Sequence, residues 1–180
     1  MKNRLLRAFL LTGVLVALVG TLSFAQTGSG STDPAIQKAR EETLVVYDLG
    51  RMFGYLNSIA KDSKVAALTT DQLKKLHDIA LEIEKIKRLE PPKAKALLTQ
   101  IEDKILIPAQ LVAVDKLAAA AAKERAATQT AGTGTGSSSG GNVLASYVSG
   151  GDFNPILDKT KTMGQDFYAF LQYAAKKLGR

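Results

Sequence analysis

The sequence has no cysteine, no tryptophan, one histidine and only five prolines in 180 residues. Without cysteine there is no disulfide framework, no thiolate zinc site, no cysteine nucleophile and no lipid-bearing cysteine. One histidine excludes a histidine-rich metal site and a multi-histidine mechanism within one chain. Strand signals are nearly missing too: no stretch alternates apolar and polar residues between turn dipeptides. What is present is 46% hydrophobic residues, enough to bury a core, in a length suited to one domain.

The chain opens on an address. Lys2, Arg4 and Arg7 precede an apolar run over residues 8–22, which ends at Ser23-Phe24-Ala25. A positive start, a short apolar region and small residues at −3 and −1 describe a secretory signal peptide over residues 1–25, with cleavage expected after Ala25. The run is short of the roughly 20 residues that span a bilayer, so a retained anchor is the lesser reading. Removing the three leading cations from the 24 Lys+Arg leaves an excess of four over the 17 Asp+Glu. Most of the basicity therefore belongs to targeting, and no nucleic-acid partner is expected. The expected location is periplasmic or extracellular, with membrane contact only through the signal peptide or peripherally.

The remainder reads as all-α, a bundle of four to five amphipathic helices. Residues 26–33 are a polar linker and 34–127 a helical domain. Residues 128–142 form a Gly/Ser/Thr-rich linker, and 143–180 a C-terminal helical segment docking on the domain or on a partner. Asp33-Pro34 signals an N-cap and first helical residue, and the apolar spacing predicts one helix to about Lys61. Gly50 and Gly54 inside it mark either a close helix crossing or a bend. Leu68-Thr69-Thr70-Asp71-Gln72-Leu73 carries a capping box (Thr69 with Gln72) and a hydrophobic staple (Leu68 with Leu73). The layout repeats at Leu89-Glu90-Pro91 and at Leu106-Ile107-Pro108-Ala109-Gln110-Leu111, where Ile107 lacks the capping oxygen. Residues Leu97, Leu98, Ile101 and Ile105 form the stripe of the middle helix. Asn154-Pro155 predicts the start of a last amphipathic helix.

Chemistry is sparse. His77, Asp78, Glu82 and Glu84 are interleaved with lysines, as on a solvated helix face, and a hard cation would need more oxygen ligands. Gly132-Thr133-Gly134-Thr135-Gly136 lacks the Gly-Lys-Ser/Thr of a phosphate loop and follows no strand. No nucleophile elbow exists. No catalytic residue, cofactor or metal site is predicted, and the chain reads as no enzyme. Tyr47, Arg51 and Tyr55 are four apart on one helix face, where cation–π stacking and a binding hot spot are both chemically suited; the alternative is the flank of an intramolecular interface. The aromatic cluster containing Phe167 and Phe170 would expose a large apolar patch unless it docks. These five residues are the candidate partner contacts.

The Leu68-Thr69-x-x-Gln72 element resembles the L-T-x-x-Q motif of the Spy/CpxP family of periplasmic helical proteins, which carry two such motifs. The second match, at Leu106-Ile107-Pro108-Ala109-Gln110, has isoleucine where the family has threonine, and the gap between the two is short for the family. The wider layout is also similar to uncharacterised exported bacterial helical proteins, a likeness that implies no activity. The Spy-like resemblance implies an ATP-independent chaperone or an envelope stress-related protein that holds unfolded clients without cofactor or catalysis. Leu68, Thr69, Gln72, Leu106 and Gln110 carry over as fold-defining positions. The leading expectation is thus an exported, non-enzymatic helical binding protein whose partner is a protein or unfolded client. The alternative is a self-associating structural component of the cell envelope or surface.

Overall fold

Helix starts follow capping and proline signals in the computed structural model, which describes residues 33–130 and 139–180. Asp33 caps α1 (Pro34–Glu42), its Oδ1 accepting from the Ala35 N–H at 2.8 Å. α2 (Leu44–Lys61) follows after a single residue. α3 (Thr70–Lys85) begins at Thr69, where both halves of the capping box are present: Thr69 Oγ1 accepts from the Gln72 N–H, and the Thr69 N–H donates to Gln72 Oε1. Pro91 and Pro108 occupy the first positions of α4 (Pro91–Gln100) and α5 (Pro108–Thr130). α6 (Ser139–Val148), a 3₁₀ turn (Pro155–Leu157) and α7 (Thr162–Lys177) complete an all-α bundle. The described residues contain no β-strand, only one bridge between Arg88 and Phe153.

Three sequence expectations are corrected, and the alternative left open at Gly50 and Gly54 is decided. The long helix predicted from Pro34 to Lys61 is divided at Thr43. That residue is fully buried, and its hydroxyl donates to the Ala39 carbonyl at 2.7 Å; such a bond to the preceding turn bends a helix. The bend is therefore not at Gly50 or Gly54. Those glycines serve a close crossing, since a Cβ on Gly50 would lie 2.2 Å from Met163 Sδ and one on Gly54 2.8 Å from Asp166 Oδ2, both on α7. The middle helix does not run unbroken to Ile105 but ends in a π-helical turn (Ile101–Ile105), which keeps Ile101 and Ile105 both in the core. Asn154-Pro155 opens only the 3₁₀ turn, and α7 starts at Thr162 without a side-chain cap. Asn154 instead donates from Nδ2 to the carbonyls of Ile83 and Ile86, satisfying the end of α3.

Of the linker predicted over 128–142, residues 128–130 belong to α5 and 139–142 to α6, and 131–138 lie outside the described residues. The expected signal peptide, its expected cleavage point and the linker predicted before Asp33 lie outside the described residues, as does the glycine run at 132–136.

α2 is the central helix, packed by α4, α5 and α7, and α3 lies along α7. Phe53 of α2 meets Phe167 edge-on at 5.0 Å and Phe170 at 5.7 Å between ring centroids. All three rings are fully buried, each contributing about 2–3 kcal/mol of transfer free energy. A second, small cluster of Ile36, Ala39 and Leu144 joins α1 to α6.

Candidate functional site

Two of the five predicted partner contacts belong to the interior. Phe167 and Phe170 have no exposed surface, because they answer the apolar face of α2 within the same chain and so are not offered to a partner. Tyr47, Arg51 and Tyr55 are different: they form one half-buried row along α2. The expected stacking of Arg51 on the tyrosines is not formed. Arg51 Nη1 donates to Asp48 Oδ1 at 2.6 Å, three residues back, and a charge-assisted bond of that kind is stronger than a face contact in water. The cation–π contacts among the described residues lie elsewhere, with Arg88 over Tyr147, Lys159 over Tyr168 and Lys177 over Tyr173.

The row separates two grooves. One, of about 670 Å³, runs between α2, α5 and α7 and is lined by Arg51, Tyr55, Leu117, Ala121, Met163 and Asp166 among others. The other, of about 760 Å³, is bordered by Tyr47, Arg51, Val143, Phe153, Leu157 and Met163. Arg51 and Met163 belong to both. The first groove exists because α5 leaves the body. Val114 is buried and Leu117 half-buried, but residues 122–127 are exposed. The alanine tract after Leu117 carries too little side-chain bulk to close the space against α7.

Electrostatics around the row is set mainly by burial. Burial raises the Tyr47 phenol above its ordinary value, opposed by Arg51 and Arg40. Burial also raises the Asp166 carboxyl, opposed by Lys61. Asn57 donates from Nδ2 to the Asp166 carbonyl at 2.7 Å, while its own buried Oδ1 has no partner. These groups can orient a polar atom of a ligand. They supply no nucleophile paired with a base.

The histidine cluster does not converge. His77 is buried, with Nδ1 lacking a hydrogen-bond partner and standing 3.9 Å from Asp78 Oδ1. Glu82 pairs with Lys93 instead. Among the described residues no group of three or more potential metal ligands is present. No described helix is long and apolar enough to cross a membrane.

The motif residues meet away from the grooves. Gln72 Nε2 donates to the Ile105 carbonyl at 2.7 Å and to Gln110 Oε1 at 2.8 Å. Gln110 Nε2 donates to the Ala66 carbonyl at 3.0 Å, and Gln110 Oε1 also accepts from the Ile107 N–H at 3.1 Å. Leu68 and Leu106 are buried beside them. Sequence reasoning missed Met163, which fills the space left by Gly50, and Arg88, whose guanidinium reaches the carbonyls of Gly151 and Tyr147. Gly50 was the available signal for the first. Nothing local marks the second, since its partners lie about sixty residues away in sequence.

No protein-family model matches this chain, and no curated protein or solved structure matches it.

Proposed function

We propose that the chain is an exported, non-enzymatic binding protein that holds apolar stretches of a protein client along α2, in the manner implied by the Spy/CpxP resemblance. The observation that supports this reading is the half-buried row Tyr47, Arg51 and Tyr55, flanked by two grooves of about 760 and 670 Å³. Grooves of that size, mostly apolar with a few polar groups, suit side chains of a polypeptide. Rigid tyrosines beside an arginine combine contact area with hydrogen bonding. Burial of client surface would supply the affinity, so neither nucleotide nor cofactor takes part.

The test is light scattering of a chemically denatured, aggregating client diluted into substoichiometric amounts of the purified chain. The expected result is delayed aggregation, weakened at least about fivefold in potency by Tyr47→Ser with Tyr55→Ser, because each truncation removes a contact worth about 1 kcal/mol or more. Circular dichroism of the double variant should match the wild type. No delay with the wild type, or equal potency of the double variant, refutes the assignment.

A further inference from the structure

We infer that α1 and α6 together form a flap over the groove bordered by Tyr47 and Phe153, and that Arg88 is its latch. The inference rests on the proposed client-binding role of that groove.

The two helices share a small cluster of their own, while Val143 and Tyr147 of α6 also pack against the main core. Among the described side chains of α6 only Leu144 is buried, and it meets Ile36 and Ala39 of α1 in a cluster separate from the main core. Ile36 and Ala39 are in turn the only buried residues of α1. α6 packs chiefly on α1, and α1 touches α2 little beyond their junction. Tyr147 Oη also donates to Glu42 Oε2 at 3.3 Å, tying the pair together. So little buried apolar surface places α1 and α6 at the low end of local stability, whereas α2 and α3 line the main core.

Both ends of the pair have places to turn. α1 joins α2 through Thr43, where the helix is already broken. α6 ends in a Schellman motif, with Gly150 at φ 78° and the Gly151 N–H donating to the Ser146 carbonyl. Val143 and Ser146 of α6 form one wall of the groove, while Tyr47, Phe153 and Pro155 belong to the body. Moving the pair outward therefore widens the groove, at the cost of the contacts that Val143 and Tyr147 make with the main core.

Arg88 adds a polar tie between the pair and the body. Arg88 Nη1 donates to the Gly151 carbonyl at 2.7 Å, and Nη2 donates to the Tyr147 carbonyl at 3.1 Å. Its guanidinium stands 4.7 Å from the centre of the Tyr147 ring, and Nε pairs with Glu90. The ring in turn lies 4.9 Å from that of Phe153. A cation on the last carbonyls of α6 stabilises that helix end and fixes it to the α3–α4 connection. Losing the guanidinium breaks both bonds and its contact with the ring, which keeps Phe153 and Glu42 as partners.

Hydrogen exchange read by mass spectrometry on the full chain, without client, tests the flap. In the wild type, amides of residues 34–42 and 143–148 should exchange at least about 100-fold faster than those of 49–60 and 73–83. Arg88→Met should speed the first set by a further tenfold or so and leave the second unchanged. Arg88→Lys, which keeps the charge but not the fork, should fall between the two. Equal protection of all helices in the wild type overturns the flap, and so does uniform acceleration in the variant. Client capture by Arg88→Met is then compared with wild type: faster capture supports gating, and unchanged capture overturns it. If the wild type holds no client at all, the binding proposal fails while the exchange data still decide the flap.

Discussion

The side-chain amide of Gln72 donates to that of Gln110 at 2.8 Å, although the residues stand 38 positions apart. Each belongs to the first turn of its helix and also closes that helix start, Gln72 on the Thr69 N–H and Gln110 on the Ile107 N–H. The starts of α3 and α5 are therefore welded to each other, to the Ile105 carbonyl and to the strandless segment at Ala66 and Ala67. Gln110 has no exposed surface, so its hydrogen bonds have no water to replace them.

Gln110→Ala should consequently destabilise the chain by about 2–3 kcal/mol, because it strands several buried polar groups at once. Urea unfolding of Gln72→Ala, Gln110→Ala and the double variant should give a coupling of about 1 kcal/mol or more. Additive single effects would show that the two amides act independently.

Ile107→Thr should stabilise the chain by about 0.5–1 kcal/mol, by restoring an oxygen at the N-cap of α5. Ile107 is 45% exposed, so little packing is lost. The corresponding rise in Tm is roughly 1–4 °C for a chain of this size, and differential scanning calorimetry reads it directly.

The glycines of α2 and α7 should differ in tolerance. A Cβ on Gly164 would stand 2.1 Å from the Asp158 carbonyl oxygen, which is backbone and cannot swing away. Gly164→Ala should cost about 2 kcal/mol or more. At Gly54 the obstacle is the tip of the Asp166 side chain. Gly54→Ala should stay within about 1 kcal/mol of wild type, the helix preference for alanine offsetting the rearrangement. Urea midpoints of the two variants make the comparison.

Glu102 introduces a pH dependence. Burial first, and then Asp103, Asp115 and Asp48, raise its carboxyl above the ordinary 4.5. A carboxyl with a higher pKa in the folded state holds its proton more tightly there. It therefore favours folding at low pH, and that contribution is lost as the pH rises through the folded value. Glu102→Gln should accordingly be more stable than wild type at pH 7 and indistinguishable from it near pH 3.5. The gain should be below about 1 kcal/mol, since the group is partly solvated. Asp166→Asn, raised by burial against Lys61, should behave in the same direction. Urea titrations at the two pH values check both, and a stability loss at pH 7 would contradict the assignment.

Much of the architecture was legible because it is written in short-range signals. Asp33, Thr69, Pro91 and Pro108 mark helix starts by capping and by a fixed φ, which depend on neighbours within four residues. The three- and four-residue apolar steps likewise announce which faces are buried, and hence an all-α bundle. The sequence could also nominate Tyr47, Arg51 and Tyr55 as one row, since helical periodicity alone aligns them. It could not tell whether Phe167 and Phe170 faced inward or outward, because an apolar stripe looks the same whether its partner is α2 or another chain.

Whatever depends on distant segments was decided by the tertiary structure. The bend at Thr43 needed a hydroxyl denied water by burial, and so turned back on the Ala39 carbonyl. Phe167 and Phe170 closed on Phe53 of α2, and Asn154 capped the far end of α3 instead of starting a helix. The two grooves arise only where α5 and α6 approach α2 incompletely. Local propensity sets helix boundaries through bonds within a turn, while the destination of a side chain depends on which remote backbone groups lack water.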